Sequence, residues 1–151
     1  GAGAVGYDIA RHLIKEGKDV VIIERDPIRA KFLENNLDCM VLNKEINRSQ
    51  TMQELNLEDG DFFIAATNKD ETNLIACSIA AASSPDGSML DLRKIARVSN
   101  LDYSHAEFKG NPFLGADYII SPEMAAANVL PAMSGRMLTL KFLIILLSLN
   151  H

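Results

Sequence analysis

The sequence predicts an α/β fold: a Rossmann-like, doubly wound parallel sheet with helices on both faces and a truncated first strand. Three observations predict it. Residues 1–6, Gly1-Ala2-Gly3-Ala4-Val5-Gly6, form a G-x-G-x-x-G fingerprint. Runs such as Val20-Val21-Ile22-Ile23 and Phe62-Phe63-Ile64-Ala65-Ala66 are apolar on both faces, as parallel strands covered by helices must be. Those runs alternate with helix-period segments, which is the pattern of β-α-β units.

The elements follow in order. Val5, Ile9 and Leu13 recur every four residues beside Ala10 and Ile14, which predicts an amphipathic helix stopped at Gly17. The strand Val20–Ile23 comes next and ends at Glu24. Asp26-Pro27 starts a helix, with an N-cap oxygen and then a first-turn proline, and Ile28 and Phe32 share one face beside Leu33. Cys39–Leu42 is a strand. Ser49 or Thr51 caps a short helix carrying Met52 and Leu55, with Thr51 and Glu54 at capping-box spacing. After the Asp59-Gly60 turn, the strand Phe62–Ala66 leads to Thr67-Asn68. Asp70 caps a helix through Leu74, Ile75, Ser78, Ile79 and Ala82. A loop spans Ser83–Ser88, a strand Ile95–Val98, a mixed segment Asn100–Gly115 and a further strand Tyr118–Ile120. Ser121-Pro122 opens an alanine-rich helix to about Met133.

Composition narrows the function. The chain has 151 residues, about one domain, and 48% apolar residues, enough for a sizeable core. The net charge of −5 argues against a nucleic-acid partner, which needs a basic face. Cys39 and Cys77 are far apart, which suggests buried thiols in a reducing compartment. No signal peptide is visible, and no uncharged stretch reaches the roughly 18 residues of a membrane span. His12, His105 and His151 are scattered without metal-ligand spacing. Ser121 reads as a helix cap and Cys77 as a core residue. No acid–base constellation stands out, so catalysis and metal binding are not expected.

The glycines carry the chemistry. In a dinucleotide fold the first permits a tight turn, the second lets backbone approach a pyrophosphate, and the third lets helix pack on sheet. Free N–H groups at the helix start favour a bound phosphate. Glu24 lies 18 residues after Gly6, near the spacing at which an acid accepts hydrogen bonds from ribose hydroxyls and disfavours a 2′-phosphate. The alternative is an ordinary acid after a strand, and Arg25 beside it is of the kind that accommodates such a phosphate. In the strand order 3-2-1-4-5-6, the ligand lies over the carboxyl ends of strands one and four. Gly1 to Gly6, Glu24 and Thr67-Asn68 should therefore converge on one crevice.

The stretches GAGAVG (1–6), GKDVVIIERDP (17–27), LEDGDFFIAATNKDETNLIAC (57–77), IARVSN (95–100) and LGADYIISPEMAA (114–126) resemble the RCK domain, also called KTN or TrkA-N, of bacterial potassium-uptake regulators and potassium channels. The resemblance implies a cytoplasmic domain, held at the inner face of the plasma membrane by its partner. It implies binding of NAD or NADH, or alternatively ATP or ADP. The implied partners are a Trk/Ktr-type potassium-translocating membrane subunit and further copies in a dimer or ring. It implies no enzymatic activity; the alternative is the cofactor domain of an NAD-dependent oxidoreductase. Carried onto this chain, the cofactor-binding residues are Gly1, Gly3, Ala4, Val5, Gly6, Glu24, Arg25, Thr67, Asn68 and Arg97. Thr67 and Asn68 are expected near the phosphates or nicotinamide, and Arg97 near the ligand or a dimer contact.

The chain departs from the family pattern at several positions. Asn43-Lys44-Glu45 stands where Gly-Asp is common, and Asn68 where Asp is common. Ala4 stands where ATP-favouring members carry arginine, which tilts the expectation to NAD(H). The domain is expected over residues 1–134, with an atypical apolar tail over 135–151. No initiator methionine or strand precedes Gly1, so the chain reads as a fragment without its first strand, and unpaired edges are expected on Val20–Ile23 and Phe62–Ala66. The Phe142–Leu147 run is too short to span a membrane. It is read as an element completing an oligomer interface, as an artefact of truncation or frame, or as a strand with the length and apolarity to fill the vacant slot.

Overall fold

A computed structural model describes residues 2–45, 49–82, 86, 88, 91–100, 115–121 and 141–145. The order is α1 (Ala2–Lys15), β1 (Asp19–Ile23), α2 (Pro27–Asn36), β2 (Met40–Leu42), α3 (Ser49–Glu54), β3 (Phe62–Ala65), α4 (Asp70–Ala81), β4 (Arg93–Arg97), β5 (Tyr118–Ile120) and β6 (Lys141–Ile145). The expected helix after Ser121-Pro122 and the mixed segment 101–114 lie outside the described residues.

The six strands form one sheet in the order β2-β1-β6-β3-β4-β5, and every pairing is parallel. This is the predicted doubly wound arrangement, with one substitution. The position between β1 and β3, expected to be vacant, is held by β6. Asp19–Ile23 runs in register with Lys141–Ile145, and Phe62–Ala65 with Phe142–Ile145. The unpaired edges expected on β1 and β3 are therefore paired. Of the readings of the tail, strand-in-the-slot is the one the sheet contains.

Alternation along each strand divides the core into two layers. Val20 and Ile22 of β1 and Phe62 and Ile64 of β3 face Ile9, Ala10 and Leu13 of α1 and Leu33 of α2. Ile23, Phe63 and Ala65 face Met52 of α3 and Leu74, Cys77 and Ala80 of α4. A fully buried side chain of this size contributes about 1.5–3 kcal/mol. Gly17, at φ +78°, ends α1 and turns the chain into β1, with Gly17 N–H bonded to the Ile14 carbonyl and Lys18 N–H to that of Leu13.

Local expectations failed in three places. On α2 the core side is Ala30 and Leu33, while Ile28 and Phe32 are exposed; Phe32 stacks instead beside Tyr7 and under the Arg29 guanidinium. The apolar spacing of Ile28 and Phe32 marks a face, but not the one the sheet covers. Thr51 is buried inside α3, so the Thr51–Glu54 box is not a cap. Asp70 is the first residue of α4 rather than its cap, and its carboxylate accepts hydrogen bonds from Ser99 N–H at 2.9 Å and Asn100 N–H at 2.8 Å. It ties α4 to the chain leaving β4.

Candidate functional site

The carboxyl edge of the sheet gathers most of the expected residues. The turn at Gly17 reverses the chain, so α1 runs antiparallel to β1. Its 14 residues span roughly 21 Å, which returns its N-terminus to the carboxyl edge. Helix begins at Ala2, so Gly3, Ala4, Val5 and Gly6 form the first turns of α1 rather than a separate loop. The first N–H groups of a helix have no intrahelical acceptor and carry the positive end of its dipole. Gly6 is buried and Val5 packs at the border of the core. Gly1 lies outside the described residues.

Glu24 follows β1 directly, and its N–H continues the ladder to the Leu42 carbonyl at 2.9 Å. The side chain is only 1% exposed, and Oε1 accepts the Asp26 N–H at 3.0 Å. Asp26 in turn caps α2 through Ile28 N–H and Arg29 N–H. Asn43 Nδ2 donates to the Glu24 carbonyl at 2.8 Å and the Arg25 carbonyl at 2.9 Å, clamping the loop from the neighbouring strand. A ribose reaches the Glu24 carboxylate only after that side chain or its cover shifts. Beside the loop lies a polar cavity of about 390 Å³ lined by Arg25, Asn43, Lys44, Glu45, Thr51 and Glu54, among others. Lys44 is paired with Glu54 across it. Its donors and acceptors are balanced, which suits a base and sugar better than a bare anion.

Thr67 and Arg97 meet on the other side of β6. Thr67 stands two residues beyond β3, and Arg97 is the last residue of β4. Arg97 Nη1 donates to the Thr67 carbonyl at 2.7 Å. Between them sits Asn73 of α4, a residue whose role sequence reasoning missed. It is fully buried; its Oδ1 accepts the Thr67 N–H at 2.9 Å and the Thr67 hydroxyl at 2.5 Å. Its Nδ2 donates to the carbonyls of Arg97, at 2.7 Å, and Thr67, at 3.1 Å. Arg97 is 9% exposed, and its Nε is buried without a hydrogen-bond partner among the described residues. Such an orphan donor beside a helix start fits an approaching acceptor. Asn68 is half-buried next to Thr67.

Glu24 and Thr67 thus flank the end of β6, two strand spacings or about 10 Å apart. The residues present fit a dinucleotide: the N-terminal amides of α1 in the middle, an acid and a polar cavity on one side, a Thr–Asn–Arg cluster on the other. Burial pushes the Cys39 thiol up to about 11, with Asp38 adding to it, and burial raises Cys77 in the same direction. Both thiols are protonated at neutral pH and carry no nucleophile. Among the described residues no group of His, Cys, Asp or Glu could hold a metal ion, and no helix is long and apolar enough to cross a membrane.

Comparison with known proteins shows the family of the chain. The TrkA-N domain model matches residues 1–122. The chain is similar to a Trk system potassium uptake protein TrkA homolog of Methanothermobacter thermautotrophicus, at 36% identity over 130 residues, covering 86% of this chain and 56% of the relative. It is similar to a homolog 1 of the same name from Methanosarcina mazei, at 36% over 129 residues, covering 85% and 31%. It is also similar to the Trk system potassium uptake protein TrkA of Vibrio alginolyticus, at 30% over 128 residues, covering 82% and 26%. The chain therefore spans little more than half of the first relative and a third or less of the other two.

Proposed function

This chain belongs to the TrkA-N domain family, and from that premise we propose that it binds NAD(H) and regulates the membrane subunit of a potassium uptake system. The observation that carries the reading is the convergence of the α1 N-terminus, Glu24 and Thr67 on one edge of the sheet. The α1 amides would hold the pyrophosphate, with Gly3 and Gly6 allowing close approach of backbone and packing of the helix. Glu24 would take the adenosine ribose, and the cavity at Arg25 and Asn43 the base. Thr67, Asn68 and Arg97 would meet the second half of the ligand. Ala4 stands where ATP-favouring members can carry an arginine that meets the terminal phosphates, which tilts the reading to NAD(H) over ATP or ADP.

The role is regulatory rather than catalytic. A nucleotide that binds one arrangement of a dimer or ring better than another shifts the population toward it, by as much as its differential affinity allows. A potassium-translocating subunit at the inner face of the plasma membrane would read that shift. The relatives' names support the potassium connection. Calorimetric titration of the chain with NAD, NADH, ATP and ADP tests the reading. Binding of NADH ahead of ATP and ADP is expected; no heat with any of the four would end it.

A further inference from the structure

Thr67 and Asn68, neighbours beyond β3, differ in what they still offer a ligand. Thr67 is only 1% exposed. Its N–H is taken by Asn73 Oδ1 at 2.9 Å, and its hydroxyl donates to the same oxygen at 2.5 Å. Its carbonyl accepts from Asn73 Nδ2 at 3.1 Å and from Arg97 Nη1 at 2.7 Å, which fills both lone pairs. The hydroxyl oxygen also accepts the Lys69 N–H at 3.2 Å. Both donors of Thr67 are therefore engaged inside the protein, and what is left is one buried hydroxyl lone pair. Asn68 is the opposite case. It is half-buried, and its side-chain amide makes no hydrogen bond among the described residues. We propose that Asn68, and not Thr67, determines ligand specificity on this half of the crevice, and that its amide pairs with the carboxamide of a nicotinamide ring.

The inference rests on the NAD(H) reading above and says which group of that ligand is read. Glu24, which takes the adenosine end in that reading, lies about 10 Å away across β6, so the group that reaches Asn68 belongs to the other end. A side-chain amide presents a carbonyl acceptor beside N–H donors. A primary carboxamide presents the same pair. The two bond edge to edge, each donating one N–H and accepting one. A phosphate offers acceptors only and would set an oxygen against the Asn68 carbonyl, whereas a lone hydroxyl engages one side of the amide at a time.

Thr67 is then a positioning residue. Asn73 and Arg97 grip its carbonyl together, and its hydroxyl bonds the Lys69 N–H across Asn68. The backbone that carries Asn68 is thus fixed on both sides before a ligand arrives, and binding has only the Asn68 side chain left to order there. Such preorganisation favours affinity, because less freedom is lost on association. A buried Thr67 in contact with its own protein on every side does this without touching the ligand.

Calorimetry with three ligands tests the assignment: NADH; ADP-ribose, which lacks the nicotinamide; and reduced acetylpyridine adenine dinucleotide, which carries a methyl ketone in place of the carboxamide. The original chain should bind NADH about tenfold more tightly than ADP-ribose, the value of one or two neutral hydrogen bonds, with the ketone in between. Asn68→Ala should bring NADH down to the affinity of ADP-ribose at an unchanged thermal melt, since the side chain holds no other residue. Thr67→Val should lower the melt and keep the ratio of the two affinities. Equal binding of NADH and ADP-ribose by the original chain, or a ratio unchanged in Asn68→Ala, overturns the assignment and leaves dinucleotide binding intact. A ketone that binds as tightly as NADH overturns the amide pairing. Loss of the ratio in Thr67→Val would give the contact to Thr67, and the other two chains decide the matter if that variant does not fold. No binding of either NADH or ADP-ribose overturns the NAD(H) reading and this assignment with it.

Discussion

At the scale of residues, two side chains hold the candidate site in opposite ways. Glu24 ends β1 with its carboxylate turned onto the Asp26 N–H, so it organises its own loop before any ligand arrives. Glu24→Ala is expected to weaken NADH by about 1.5–3 kcal/mol, the value of a charge-assisted hydrogen bond, read by calorimetry. Unchanged affinity would show that the carboxylate belongs to the loop alone. Asn73 makes no contact that a sequence reader would look for, yet it joins the ends of β3 and β4 through four hydrogen bonds. Asn73→Ala leaves the Thr67 N–H and two carbonyls buried without it. The expected loss is at least about 1–3 kcal/mol of stability, the cost of one unsatisfied buried group. A urea midpoint equal to that of the original chain would contradict the network. These two residues also mark what was legible. Glu24 and Thr67 were visible because they stand at strand ends, where the fold puts ligands, whereas Arg97 entered only through the family resemblance. Asn73 was hidden because a polar residue on a helix reads as surface unless the loop it reaches back to is known.

At the scale of elements, the strands were legible and the faces of the helices were not. Runs apolar on both faces mark β1 and β3, and Ile95–Val98 marks β4, with boundaries good to one or two residues. On α2, apolar spacing pointed to Ile28 and Phe32, but the sheet covers Ala30 and Leu33. Two glycine turns show the same dependence on context. Gly17 and Gly115 both have positive φ, +78° and +81°. A Cβ at Gly17 meets nothing within 4 Å, whereas one at Gly115 falls 2.5 Å from Ser78 Oγ and 2.8 Å from the Ser78 backbone on α4. Gly17→Ala should therefore cost only the left-handed penalty of about 1–2 kcal/mol. Gly115→Ala should cost clearly more, because the turn before β5 must also move off α4. Thermal melts of the pair check this; equal shifts would mean that the turn at Gly115 yields freely.

At the scale of the whole molecule, the sheet has two halves joined through one strand. β2 and β1 carry Glu24 and the polar cavity; β3, β4 and β5 carry Thr67, Asn73 and Arg97; β6 lies between. The alternation of strands and helices made this plan readable. The identity of the central strand was open: length and two-sided apolarity fitted Phe142–Leu147 to the slot as one of several readings of the tail, and the register of residues 141–145 with β1 and β3 selects it. The plan has a consequence for ligands. A dinucleotide is long enough to touch both halves across the roughly 10 Å between Glu24 and Thr67, whereas ADP on Glu24 reaches one half and the α1 amides. Saturating NADH, at 100 times its Kd, should add about 2.7 kcal/mol to the unfolding free energy. It should also slow amide exchange at the ends of both β1 and β3. ADP at the same saturation should stabilise by the same amount, since linkage depends on the ratio of concentration to Kd. Its protection should nevertheless be confined to α1, β1 and β2, with the Thr67–Asn73–Arg97 cluster exchanging as in the free chain. Identical protection maps for NADH and ADP would place the whole ligand on the first half, and would leave the buried Arg97 Nε to some other acceptor.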